Sequence, residues 1–529
     1  MEQGEGAETT TTTEDPVPDK KKVKIRCGMF FDGTLNNRTN IEKRLIAVSE
    51  DKTTTKKLTD EELAVLKDVQ ARHQSENDIL EAMVLYDQHK STKMNDDNSY
   101  EAFFSNVVKL ERHLDTEVPE PEGAAYQHKL KVYVEGSGSI DKAKDETAGF
   151  AFAKGAAGIE KKVDSGLERA LKQIKRVHFE KEDPIELLTL DVCGFSRGAA
   201  AARYFIHRAL YDYDGAKYRA YQEAIKASNE PDIGLYMEAL KCLQAIKAAL
   251  QADDYTVGEV KICFAGLFDT VSSFGYTLAL NSNNTEDLSL DAVMVAEETV
   301  HLASADEHRT FFSLTDIASA GGKGREVYLP GVHSDIGGGY RDDGHEKQVI
   351  YFGLKKNVEA DRQKHIDAGW YTPEEIELEP MGHQHDNRLD SIDNNPEHPQ
   401  HPHRNPRLFA QLRVNRPGIR SQYNRIPLHL MAGYARGKNI VFKGALNKDE
   451  KVPDELIEDQ KKIQAYVSQH DALGARTSKA EDWHDNLSAW LRELRGRYFH
   501  FSAHYSSPTV VGHIPRIEGG QRIRGMHRG

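Results

Sequence analysis

The chain has 529 residues, 29% of them charged and 38% hydrophobic, with four cysteines and a formal net charge of −14. That acidic balance excludes sequence-blind nucleic-acid binding, which needs a basic surface, and it opposes a general attraction to anionic lipid. No apolar run approaches the roughly 20 residues a membrane-spanning helix needs, and no basic segment followed by an apolar one opens the chain, so ordinary secretory export is not expected.

Residues 1–22, with five consecutive threonines, read as a disordered leader. The first strand is VKIRCGMFFDGTLNN, ending in turn residues Asp32, Gly33 and Thr34. Residues 41–125 are polar, with helical patches EELAVLKDV and ENDILEAMVLYDQH. KLKVYVEGSGS (129–139) is the second strand, and the Gly/Ala-rich AGFAFAKGAAGIEKKV leads into a helix with Leu167, Leu171 and Ile174 on one face. IELLTLDVCGF is the third strand, followed by an alanine-rich helix; residues 216–253 read as one or two further helices. EVKICFAGLFDTV is the fourth strand, residues 290–309 read as a helix, and REVYLPGVHSDIGGGY is the fifth strand.

Strands apolar on both faces and alternating with helices define an α/β fold: a mostly parallel sheet flanked by helices, with helical insertions. Cys27, Cys193, Cys242 and Cys263 form no CxxC pair and read as small buried hydrophobes. Residues 376–406 carry His383, His385, His398, His401 and His403 among prolines, at spacings that match no metal-ligand frame. They read as a mobile surface loop. Helical periodicity resumes at YNRIPLHLMAGYARG (423–437) and around Trp483–Leu494. Arg516, Arg522, Arg524 and Arg528 close the chain as a solvated basic tail.

The chemistry centres on GFSRG, a G-x-S-x-G match between a strand and a helix. Gly194 and Gly198 relieve a tight turn, and Ala199–Ala202 let the following helix approach the sheet. Together they expose the hydroxyl of Ser196. A serine needs a base, and a hydrolase of this class supplies serine, acid and histidine in that chain order. Asp269 ends the fourth strand and His333 the fifth, where sites form in an open parallel sheet. His504 competes as base; Asp335 and Asp306 compete as acid. The oxyanion hole takes the backbone N–H of Arg197 and one from Gly33 or Thr34, with Asp32 bracing that loop. FFDGT resembles a phosphatase opening, but Phe30 stands where the attacking aspartate belongs. The mechanism calls for no cofactor and no metal.

FFDGTLNN, YVEGSGSI, GFSRGAAAARYF, GLFDTVSSFG, LASADEHRTFF and LPGVHSDIGGGY, collinear from about residue 25 to 340, together resemble the catalytic domain of type VI secretion lipase effectors of the GxSxG class. The resemblance implies an α/β-hydrolase fold and phospholipase A1 or A2 activity against membranes of rival bacteria, with Ser196, Asp269 and His333 as nucleophile, acid and base. It implies synthesis in the cytoplasm, export by the type VI machine, action at the target cell's periplasm and membrane, a spike or adaptor partner, and an immunity protein. The domain reading is the leader at 1–22, a catalytic domain at 23–345 with insertions at 41–125 and 207–257, a mobile polar insertion at 346–420, a C-terminal part at 421–510 that packs on the catalytic domain, and a flexible basic tail at 511–529. The insertions, 341–420 and the stretch 149–159 are candidates for a lid. A soluble carboxylesterase with the same triad, or a non-catalytic binding protein on a hydrolase fold, are the alternatives.

Overall fold

A computed structural model describes residues 21–51, 57–73, 75–90, 98–118, 125–145, 158–178, 181, 183–210, 245–272, 288–380, 409–473, 477–484, 486–505 and 513–529. Residues 1–20 of the leader, most of the stretch 149–159, the histidines of 381–408, and Cys242 lie outside them.

Six parallel strands make the central sheet: β1 (Val23–Phe31), β2 (His128–Val134), β3 (Ile185–Phe195), β4 (Val257–Phe268), β5 (Glu298–Ser304) and, after the short β6 (Leu314–Thr315), β7 (Gly324–Leu329). Their order is β2-β1-β3-β4-β5-β7. β1 shows how the sequence builds two faces at once. Val23, Ile25, Cys27, Met29 and Phe31 join the core beneath helices Ile159–Val177 and Arg197–Leu210, while Phe30 joins the opposite core. A period of two with both alternations buried is the signature of a strand covered on both sides. Cys27, Cys193 and Cys263 are buried free thiols.

β5 corrects the expectation of a helix over 290–309. A 3₁₀ turn covers Leu290–Val295, and ETVHLAS then enters the sheet between β4 and β7. A short buried apolar run carries no period that separates strand from helix. Here β-branched Thr299 and Val300, and neighbours on both sides, decide for the strand.

The expected mobile insertion at 346–420 is ordered where it is described. β8 (Gly344–Leu354), β9 (Ile376–Pro380) and β10 (Phe409–Ile419) form an antiparallel sheet in the order β8-β10-β9. Ala410, Leu412 and Val414 alternate into the core, which a polar composition conceals. The last residues form a hairpin, β11 (Ile517–Glu518) with β12 (Gln521–Arg522), and β13 (Met526–His527), which pairs with β6.

Part of the insertion at 41–125 is bolted down. Glu62, at 0% exposure on helix Asp60–Arg72, holds Arg44 at 2.6 Å, Arg341 at 2.8 Å and the backbone N–H of Thr59 at 2.9 Å. Its neighbour Glu61 holds Arg425 at 3.1 Å and accepts from Ser421. That helix is therefore a fixed wall and not a lid. Glu62→Ala leaves the buried Arg44 without a counter-charge, and a loss of about 3–5 kcal/mol is expected. A lowered midpoint in urea, with Leu63→Ala on the exposed face of the same helix as the mild control, checks it.

Candidate active site

The chain turns back between β1 and β3: β2 lies on one side of β1, and the remaining strands extend from the other. A crevice opens at the carboxyl ends of strands at such a switch point. The loop after β1 and the turn after β3 meet there.

Ser196 occupies that turn with φ +59°, a left-handed conformation that costs a non-glycine residue about a kcal/mol or more. The two flanking glycines make the turn possible. A Cβ on Gly198 would lie 2.1 Å from the carbonyl oxygen of Asp32, and one on Gly194 would lie 2.4 Å from the carbonyl oxygen of Gly198. The serine N–H donates to Phe268 O at 3.0 Å, tying the elbow to β4. Among the described residues the Ser196 hydroxyl has no hydrogen-bond partner.

Asp269 follows β4 and is fully buried. Its Oδ2 accepts from His333 Nδ1 at 2.5 Å and from Ser304 Oγ at 3.0 Å, and its Oδ1 accepts from Ser304 N at 2.7 Å. Arg524 closes the shell with a two-pronged contact at 2.7 and 2.8 Å. Burial pushes the carboxyl's pKa up, but the charge of Arg524 and the hydrogen bond from His333 outweigh it and hold the group well below the usual carboxylate range.

His333 opens the short helix His333–Gly337 after β7. Its ring lies 4.6 Å from that of Phe195, the residue before Ser196, and 5.0 Å edge-on from Phe312. Burial is the largest influence on its pKa and pushes it down. Asp269 pulls the other way and Arg309 adds to the depression, so the net shift is below 6.5. The imidazole is thus held neutral, with Nδ1–H donated to the carboxylate and Nε2 left as the acceptor.

The rivals are engaged elsewhere. Asp335 accepts from His500 Nδ1 at 2.8 Å and from Val332 N at 3.0 Å. Asp306 accepts from Gly331 N at 2.7 Å and so shapes the loop that delivers His333. His504 stacks on His513 at 4.3 Å.

The loop after β1 is braced as expected, with one difference. Asp32 accepts from Tyr133 at 2.7 Å, Ser105 at 2.5 Å and the N–H of Gly33 at 2.8 Å. Burial outweighs these bonds and raises its pKa to about 6. The Gly33 N–H is therefore spent on Asp32. The backbone N–H of Thr34 makes no hydrogen bond among the described residues. Arg197 opens the helix after the elbow, its guanidinium depressed to about 10 by burial and by Arg309 nearby.

Besides Ser304, whose N–H and hydroxyl both bond Asp269, two supporting residues escaped the sequence reading. His301 accepts from the N–H of Thr270 at 3.0 Å and donates to Glu326 at 2.9 Å, fixing the residue after Asp269. Arg524 is the second; its segment was expected to be a solvated tail, yet its side chain is 7% exposed. The tail is held because its backbone pairs with β6 and its arginines find buried acceptors.

Parallel strands, helices on both faces and a serine elbow at the switch point define an α/β-hydrolase-like protein. Residues 83–358, just over half the chain, match the catalytic domain of the type VI secretion Tle1-like phospholipase effectors, and the chain belongs to that family. The solved structure of the Tle1 effector bound to the VgrG spike of the type 6 secretion system is similar in fold, with 20% identity, a TM-score of 0.54, and coverage of 99% of this chain and 98% of that one. An uncharacterized protein from Pseudomonas aeruginosa aligns at 15% identity over 88% of this chain and 52% of its own, with a TM-score of 0.36, too low to support a shared fold. No curated protein matches the chain.

Proposed function

We propose that this chain is a serine phospholipase A that cleaves acyl ester bonds of membrane glycerophospholipids through Ser196, His333 and Asp269. The 2.5 Å contact between His333 and a buried, ionised Asp269, beside a strained elbow serine, carries this reading. Ser196 Oγ attacks the ester carbonyl while His333 Nε2 takes its proton. Asp269 holds the tautomer and stabilises the imidazolium. The tetrahedral oxyanion rests on the N–H groups of Arg197 and Thr34. Collapse expels the alcohol, protonated by His333, and water then frees the fatty acid by the same steps in reverse.

Membership of a phospholipase effector family supports a lipid substrate over a soluble ester. The likeness to an effector solved on its spike supports delivery by a type VI spike protein; an immunity protein guarding the producer and damage at the target cell's membrane are further parts of the proposal. No helix among the described residues is long and apolar enough to cross a membrane.

Fatty-acid release from phosphatidylethanolamine vesicles, read beside hydrolysis of a short soluble ester, tests the proposal. Vesicle turnover well above soluble turnover is expected. Soluble turnover alone would mark a carboxylesterase, and neither, with no labelling by an organophosphonate, would mark a binding protein. The base must be neutral to act, and burial depresses His333 below 6.5. Activity is therefore kept at pH 6.5 and lost only as pH falls through the lowered value. An acid limb of kcat/KM with its midpoint above 6.5 would contradict a net depression of the His333 pKa by burial.

A further inference from the structure

The segment that follows residue 513 lies far outside the catalytic family match, which ends at 358. It nevertheless reaches the catalytic acid. Thr310 N donates to Ile514 O, and Arg516 N donates to His308 O, both at 2.8 Å, which fastens the start of the segment to the loop bearing Glu307 and Arg309. Leu314 N then donates to Gly525 O at 2.8 Å, and β13 runs parallel to β6. β6 itself is bonded to the residues beside the acid: Thr315 N donates to Thr270 O at 3.0 Å, and Leu314 bridges to Val271. An unbroken set of backbone hydrogen bonds thus runs from the C-terminal segment to the turn that holds Asp269.

We propose that Arg524, brought in by this strap, is a positioning residue that orients the carboxylate of Asp269 and tunes the basicity of His333; the proposal rests on the triad reading above. All three nitrogens of the guanidinium donate. Nε donates to Phe312 O at 2.9 Å, one terminal nitrogen to Asp269 Oδ1 and to both oxygens of Ser304, and the other to Asp269 Oδ2. A planar fork that grips both carboxylate oxygens fixes the rotation of the group about its Cβ–Cγ bond. That rotation decides whether Oδ2 stays in line with His333 Nδ1.

The charge has a separate consequence. Aspartate alone stabilises an imidazolium; a cation on the far side of the same carboxylate offsets part of that field. The charged groups around His333 are Asp269 after β4, Glu307 and Arg309 after β5, and Arg524 from the strap, with Arg197 beside Arg309 and Asp335 on its own helix turned to His500. Glu307 is already paired with Arg309 and Ser502. Arg524 is therefore the cation that balances the acid, and its removal makes the imidazole more basic.

The test compares Arg524→Met, Arg524→Lys and the exposed tail control Arg528→Ala in the full chain. Steady-state kinetics on a soluble ester and on vesicles are read across pH, and the His333 imidazole is titrated by NMR, assigned by its loss in His333→Gln. For Arg524→Met, kcat should fall about 10–100-fold with KM nearly kept, by analogy with the loss when a side chain that orients a metal ligand is removed. The acid limb and the imidazole titration should both move up by roughly half a pH unit or more. Lysine keeps the charge and loses the fork, so it should hold the limb near its wild-type position at a reduced kcat. Added guanidinium should restore part of the methionine variant's rate, and Arg528→Ala should match the wild type. An Arg524→Met enzyme with wild-type kcat and an unmoved limb overturns the proposal. So does a rate loss with an unmoved His333 titration, which marks a merely structural tail. A wild type that turns over no ester removes the triad reading instead, while the His333 titration still decides whether Arg524 sets its basicity.

Discussion

Ser196→Ala is expected to reduce fatty-acid release by at least about a thousandfold, while the melting temperature stays within a degree or two of the wild type. Catalysis by such a site depends on the hydroxyl and its base acting as one unit. Alanine removes a single oxygen from a residue that is 2% exposed, and the alanine Cβ already fits the space. The left-handed backbone at φ +59° is as strained for alanine as for serine, so the elbow should persist. His333→Ala should be similarly inactive, and the double variant no worse than either single one, because the second removal acts on a step that no longer occurs. The oxyanion donors remain in all three, leaving a residual rate above that of water. Organophosphonate labelling gives a separate readout: it should vanish in Ser196→Ala and slow in His333→Ala. Substantial vesicle turnover by purified Ser196→Ala would place the nucleophile elsewhere.

The parts of the site legible in the sequence are those that a local motif and a strand end specify together. GFSRG lies between a buried strand and an alanine-rich run, so the tight turn follows from chain chemistry; the hydroxyl expected to be exposed does not, for Ser196 is 2% exposed. Asp269 and His333 were legible because parallel strands deliver their carboxyl ends to one edge. Their supporters were not. Ser304 ends β5, a strand that reads equally well as helix, and with β5 unseen nothing places its last residue against Asp269. His301 sits in the same strand and was hidden with it. Gly33 reads as an oxyanion donor from its turn position, but the carboxylate of the preceding residue, Asp32, folds onto its N–H. Arg524 shows a different failure. Charge alone made the tail look solvated, yet IEGGQR carries a two-glycine hairpin signal. Gly519 and Gly520 do adopt φ +58° and +80° between β11 and β12. A hairpin in a tail is a sign that the tail is docked.

Asp269→Asn should lower kcat by about 10⁴-fold, the loss expected when the histidine is held in the wrong tautomer. It should also destabilise the protein, a pairing of effects that the geometry requires. Every neighbour of this carboxylate is a donor: His333 Nδ1–H, Ser304 N–H, Ser304 Oγ–H and both terminal nitrogens of Arg524. An amide brings an NH₂ into that ring whichever way it turns. Turned to His333, it forces the proton from Nδ1 onto Nε2, where it faces the serine and abolishes the base. Turned to Arg524, it opposes the guanidinium with a second donor. In both orientations Arg524 becomes a buried cation without a counter-charge, a cost of about 3–5 kcal/mol. The double variant Asp269→Asn/Arg524→Met separates the two losses. Removing the orphaned charge should recover much of the melting temperature, while activity stays low because the tautomer is still wrong. Recovery of activity along with stability would mean that Asp269 serves mainly as the counter-ion of Arg524, and that His333 draws its orientation from Phe195 and Phe312 alone.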